Sequence, residues 1–505
     1  MRMGFKICFF ILLTVDVLAS EGIEQLRLKA ASGDAISQVE LGIIYAKGQG
    51  VQKDNMVAFE LFMKAAEQGN AKAQNALGIL YAQGEVGEKD YAEARKWFSR
   101  SATQGYANAQ VALGQIYEGG LGVSQDLERS LHWYLKAASQ GNPESQYRAG
   151  LIYLNDSSGD NAGNAVKWIK ASAEQGFVYA QDKLGLLYAK GEIVDKDNVL
   201  AVKWFRRAAE QGNSQSKYNL GYMYSNGYGV NRDYSQSVKW YQAAVAQGYL
   251  EAFNGLGWLY KNGLGVERNY VEAAKLFRQG ASLGDRLAMK NLGELYDNGM
   301  GMEQDSVAAA GWYRQSAEKG EPYAQDLLAI MLWSGEGVAQ NYEAAIEWWE
   351  KSVKQGNASA QSNLAVAYVN GEYVKKDYSK ALELFTAAAG QGNAYAQHNL
   401  ASMYAKGLGV EQSDKDAALW ELKAAQGGFV IAQSNLGGLY QGGLGVDKDL
   451  VRAYVWLKIA VQNGYQEATD NLASLGALLT EIQLQQADAT FKDILEQYPD
   501  VKTSE

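Results

Sequence analysis

The groups able to do chemistry in this chain are few and scattered. His132 and His398 are its only imidazoles and Cys8 its only thiol. Neither histidine stands in a motif, and the sequence holds no Gly-x-Ser-x-Gly, no His-Glu-x-x-His and no cysteine nucleophile. The turn Gly227-x-Gly229-Val230-x-x-Asp233 superficially resembles a phosphate cradle, but no Gly-Lys-Ser/Thr follows it and no β-strand is expected before it. Between Asn155 and Gly163 the aspartates lack the alternating spacing of a calcium loop, and no bidentate glutamate follows. Glu294, Asp297 and Asp326 fall near one another under the period described below, and a carboxylate pair is what glycoside hydrolysis needs. With 57 Asp and Glu in the chain such a coincidence is cheap, so weak hydrolysis ranks last of three readings. No catalytic residue, cofactor or metal is expected.

The elements that position every side chain are set by one period. The glycine that closes each unit recurs at Gly33, Gly69, Gly105, Gly141 and onward to Gly464, always 36 residues apart except for 35 between Gly141 and Gly176. A period in this range predicts a solenoid, in which each unit buries its apolar face only against its neighbours. In the unit around Gly185, Ala180, Leu184 and Tyr188 share one helix face. After a glycine-rich turn, Ala201, Trp204, Phe205, Ala208 and Ala209 form the stripe of a second, amphipathic helix, stopped at Gln211-Gly212.

The same roles recur down the chain. A small residue, Gly42, Gly78, Gly114 and equivalents (Ala329, Ala365 and Ala401 in three units), allows close approach of the second helix, and leucine precedes it in eleven of twelve units. Nine of the twelve tryptophans, from Trp97 and Trp133 to Trp456, occupy one point of the second helix. They are expected to be core, each burying roughly 150–250 Å². Turn glycines supply positive φ, the turn valine tucks inward, and an aspartate such as Asp54, Asp90 or Asp233 caps the second helix. A glutamine four residues before the small residue is replaced by Lys217, Phe253 and Met289 in three consecutive units, which points either to binding or to altered packing there.

Arg2 and Lys6 precede an apolar run from Ile7 to Ala19, the pattern of a secretory leader cut near Ala19 or Ser20. Cys8 lies inside it, so the mature chain would carry no thiol and no disulfide. No other stretch approaches membrane-spanning length. The net charge of −10 opposes nucleic acid and anionic membrane surfaces as partners.

The pattern Ala-x-x-x-Leu-Gly-x-x-Tyr-x-x-Gly-x-Gly-Val-x-x-Asp, followed by Ala-x-x-Trp and Ala-Ala-x-x-Gly, resembles the Sel-one-like repeat (SLR), a relative of the tetratricopeptide repeat. The resemblance implies an all-α, right-handed α/α superhelical solenoid of about twelve helix-turn-helix units. The domains expected are a leader at 1–20, an N-terminal half-repeat cap at 21–34, twelve repeats at 35–464, a C-terminal helical cap at 465–498 and a tail at 499–505. By resemblance to tetratricopeptide arrays, the concave wall is lined three before, one after and four after the small residue. In mid-array those positions give Tyr147, Asp182, Tyr218, Tyr222, Asn254, Trp258, Lys261, Lys290, Glu294, Asp297, Asp326 and Trp333 as partner-binding candidates. The family implies adaptor work, so the leading expectation is a non-catalytic periplasmic or secreted scaffold holding a protein or peptide segment. The second is an envelope assembly factor that binds glycan or peptidoglycan through its aromatic residues. Some bacterial relatives are cysteine-rich, and this chain departs from them. The eukaryotic adaptors carry a membrane anchor that is not seen here, and the ending Val501-Lys-Thr-Ser-Glu505 is not a retention signal.

Overall fold

A computed structural model describes residues 20–156 and 161–502; the expected leader lies outside the described residues, as does part of the turn 155–163. The described residues form helices and no strands. After a first helix, Ser20–Ala31, twelve pairs follow, from Ala35–Lys47 with Asn55–Glu67 (repeat one) to Val430–Gly442 with Leu450–Gln462 (repeat twelve). The chain divides into two compact units, Met1–Tyr249 with the cap and repeats one to six, and Leu250–Glu505 with repeats seven to twelve and the C-terminal cap. This is the all-α repeat array that the 36-residue period implied.

Local chemistry fixes the helix boundaries. Asp54, Asp90, Asp126, Asp197, Asp233, Asp305, Asp377 and Asp449, with Asn269 and Asn341, are all N-caps whose side chains accept backbone N–H groups of the first turn. The cap residue also donates its own N–H to the carbonyl of the tyrosine three residues after the small residue, as Asp54 does to Tyr45 at 3.0 Å and Asp90 to Tyr81 at 3.0 Å, which closes the turn. Gly48, Gly84 and their equivalents end the first helix in the left-handed region.

The core lies between the two helices of each repeat. A Cβ placed on Gly78 would stand 2.6 Å from the ring of Phe98, and one on Gly185 the same distance from Phe205. The small residue is therefore required by a side chain lying directly on the helix backbone, an aromatic ring in most units and Ile169 or Leu457 in two. That ring is not the tryptophan. Trp204 and Trp456 are buried, but Trp97, Trp133, Trp168, Trp240, Trp312, Trp348 and Trp420 are only half-buried. The residue after each is the fully enclosed one, as in Phe98, Tyr134, Ile169, Phe205 and Tyr313. The tryptophans flank the stripe and carry cations on their outer faces, with Arg100 4.6 Å from the Trp97 ring centroid and Lys423 3.8 Å from that of Trp420. The expectation of a tryptophan core is corrected to this extent.

Neighbouring repeats are tied by a glutamine ladder. Gln74 donates to the Ala66 carbonyl (3.2 Å) and accepts from Gln104 (2.8 Å), and Gln110 is placed alike between Ala102 and Gln140. Where the ladder lapses, Phe253 and Met289 are buried apolar side chains in the amide's place, so there the packing has changed. At the C-terminus, Thr469–Gly476 and Glu481–Gln497 pack on the last repeat. The cap does not stop before the expected tail at 499. Pro499–Val501 forms a further turn, Val501 is fully buried, and its carbonyl accepts from Gln433 (2.9 Å) and Asn463 (2.7 Å).

Candidate functional site

The first helices of the middle repeats present the candidate residues, and their surroundings separate them into two kinds. In the unit Met1–Tyr249, Tyr147 is half-buried with its ring 5.5 Å from that of Phe177. Tyr218 is half-buried between Tyr241 (5.6 Å) and Tyr249 (5.4 Å). Asp182 is buried, accepting from Ser216 Oγ at 2.5 Å and Asn219 Nδ2 at 3.5 Å, and burial pushes its carboxyl above the usual range. Tyr222 alone of these four opens widely to solvent, 46% exposed, beside Tyr228 at 6.0 Å.

In the unit Leu250–Glu505, Trp258 is the open counterpart, at 44% exposure. Asn254 accepts from Asn291 at 2.7 Å. Lys261 and Lys290 each lie 2.7 Å from a different oxygen of Glu294. Burial pulls the Glu294 carboxyl upward, but the two ammonium groups outweigh it and hold it below its ordinary value. Asp297 accepts from the Tyr313 hydroxyl at 3.2 Å, and burial pushes its carboxyl up. Asp326 is buried, accepting from Trp349 Nε1 (2.9 Å) and Asn363 Nδ2 (3.0 Å). Trp333 is half-buried in an aromatic cluster, edge-on to Tyr342 (4.9 Å) and tilted against Trp349 (5.2 Å). Glu294 thus has both oxygens engaged, while Asp297 and Asp326 each have one oxygen engaged by an internal donor.

Two features were missed in the sequence. Asp182, Asn254, Asp326 and His398 stand 72 residues apart, as do Asn219, Asn291, Asn363 and Asn435, so a polar pair marks alternate repeats. The first three pairs are hydrogen bonded across 37 residues. In the fourth, a buried Glu421 has replaced the core ring, and it accepts from Asn435 (2.7 Å) while His398 Nδ1 lies 3.1 Å from both its oxygens. The doubled period was the available signal. The second feature is Tyr373, the one non-glycine residue at positive φ among the described residues. Among the described residues no three His, Cys, Asp or Glu side chains group as metal ligands, and no helix is long and apolar enough to cross a membrane.

Comparison with known proteins follows this geometry closely. The Sel1 repeat matches twelve times, from residues 35–70 through 430–465. A protective antigen present in uropathogenic Escherichia coli strains, whose crystal structure displays an SLR fold, is 38% identical over 88% of this chain and 96% of its own, with a TM-score of 0.68. A Sel1 repeat protein from Oxalobacter formigenes is 30% identical over 48% of this chain and 96% of its own, with a TM-score of 0.45. The search of curated proteins found no match. Twelve matched units and a long relative of the same architecture make this chain a member of the Sel1 repeat family, whose proteins generally act as non-catalytic scaffolds for protein interactions.

Proposed function

We propose that this protein is a non-catalytic scaffold, exported to the periplasm or secreted after cleavage near Ala19 or Ser20, that holds a protein or peptide segment on the concave wall of its array. The supporting observation is the exposure of Tyr222 and Trp258. Both occupy the position after the small residue, where outlying repeats carry Ile43 and Ile79, both buried. Large aromatic rings left open on a rigid helical frame are the usual anchors of an interface. Lys261, three residues on from Trp258 in the same helix, and Lys290 both pair with Glu294 and supply polar groups that orient a guest. Asp182 and Asp326, each within its own unit, are buried supports, since a guest would have to displace their present donors to reach them. The relative described as a protective antigen fits an exported protein.

Alanine at Trp258 or Tyr222 should weaken capture of the partner from an envelope fraction by about tenfold or more, while thermal unfolding shifts by no more than about 2 °C. Unfolding in either variant would assign these rings to the core and end the proposal. The same open rings suit stacking on sugar, which keeps envelope glycan as the second reading. Heat on titration with peptidoglycan fragments, lost in Trp258→Ala, would favour it over a protein guest. Export is tested by N-terminal sequencing of the native protein, which should begin within a residue or two of Ser20.

A further inference from the structure

In six repeats the second turn glycine lies against the first residue of the preceding repeat's second helix. Gly301 lies on Tyr270 in this way and Gly409 on Tyr378, where an added Cβ would stand 2.7 Å from the Tyr378 carbonyl oxygen. Repeats two and five carry Val86 and Ile193 in that slot without positive φ, and repeat ten carries a tyrosine. Tyr373 takes the glycine's place at φ 61, a conformation that L-residues rarely adopt. Its ring stacks on Tyr342, with centroids 3.5 Å apart and 14° between planes, and stays 61% exposed. One repeat later Tyr378 and Gly409 hold the same two slots, 36 residues on, but the upper ring is missing. There the surface opens into a cavity of about 650 Å³ lined by Tyr368, Lys375, Lys376, Tyr378, Lys380 and Gly409.

The Tyr342–Tyr373 stack is therefore an internal copy of what the open slot would accept, and the charge around the slot selects the guest further. Three lysines converge there in a chain of net charge −10. Lys380 is held by the Tyr368 hydroxyl, its ammonium 4.4 Å from that ring's centroid, and the Lys376 ammonium lies 5.8 Å from that of Tyr378. Of the carboxylates that act on Lys380, Asp377 is engaged in capping the helix, accepting from the Lys380 N–H at 3.0 Å, and Glu350 stands outside the cavity lining. We propose that this cavity binds a tyrosine side chain from an acidic peptide segment, with the ring on Tyr378 as Tyr373 lies on Tyr342, and the flanking carboxylates on Lys375, Lys376 and Lys380. The site uses turn and second-helix residues together with Tyr368 of a first helix, and shares none with the proposed concave wall.

The test is titration of the full chain with Ac-Glu-Asp-Tyr-Glu-NH2, with companion peptides carrying Ala for Tyr or Lys for the acidic residues. The acidic tyrosine peptide should bind, and each companion should bind at least about tenfold more weakly. Lys375→Gln with Lys376→Gln should weaken it by a similar factor, and Gly409→Tyr should abolish it by filling the slot. Should Gly409→Tyr misfold by circular dichroism, the lysine pair decides. Trp258→Ala and Tyr222→Ala should leave this binding unchanged, so it stands or falls apart from the concave wall. Binding that is absent at millimolar peptide, indifferent to the tyrosine, or unaffected by the lysine pair would overturn the proposal.

Discussion

Asp326 is a carboxylate held where its charge is unwelcome. Burial raises its proton affinity, and the bonds from Ser359, Asn363 and Trp349 only partly oppose this. A carboxyl whose folded proton affinity exceeds the unfolded one binds more protons when folded. Its contribution is therefore favourable at low pH and is lost as the pH rises from about 4 through the raised value. Asp326→Asn keeps an oxygen for the Trp349 and Asn363 donors and removes the ionisation. The variant should match the parent near pH 4 and melt higher at pH 7, by on the order of a few degrees. A lower melting point at pH 7 would mean that the carboxylate is stabilising as an ion. The caps were legible at this scale because capping is decided within four residues. The core ring was not, because Trp97 and Phe98 both satisfy the helical stripe and periodicity does not say which lies at its centre. The Gly78–Phe98 contact does, so Phe98→Ala should cost about 3–5 kcal/mol and Trp97→Ala distinctly less, read from denaturant midpoints and amide exchange in repeat two.

Between elements the specificity is polar. Gln110 is buried and joins the end of one second helix to the next repeat, donating to Ala102 and accepting from Gln140. Gln110→Ala leaves a buried carbonyl without that donor and should cost about 1–3 kcal/mol, seen as faster amide exchange at the junction of repeats two and three. A loss within 0.3 kcal/mol would show that water replaces the amide freely. The recurrence of this glutamine was plain in the sequence, and so was its lapse at Phe253 and Met289. The reason for the lapse was not, since burial at those positions depends on the facing helix, where Gly280 brings its backbone against Phe253. The Asp182–Asn219 and Asp326–Asn363 pairs escaped for a related reason. Their partners lie 37 residues apart, and a single-repeat alignment folds alternate units onto one another and averages the doubled period away.

At the scale of the molecule, stability accumulates along the chain. Within each unit the described helices pack chiefly against those next to them in sequence rather than around one central core. The exception is local, where Val501 folds back 68 residues to meet Gln433 and finish the C-terminal end. An array of this kind should tolerate loss of a whole period, because the residues on either side present the same mating surfaces. Deleting 107–142 in the unit Met1–Tyr249 removes one first helix and one second helix, and brings Tyr106 against Pro143 at matching points of the period. The shortened protein should keep its helical signal per residue and unfold cooperatively at a somewhat lower midpoint. Deleting 107–124 instead strands the second helix Leu127–Ser139 without the helix that covers its core face, exposes Tyr134 and should aggregate or lose helicity. Circular dichroism and size-exclusion chromatography of the two deletions separate the cases. Equal damage from both would mean that the repeats depend on contacts beyond their neighbours.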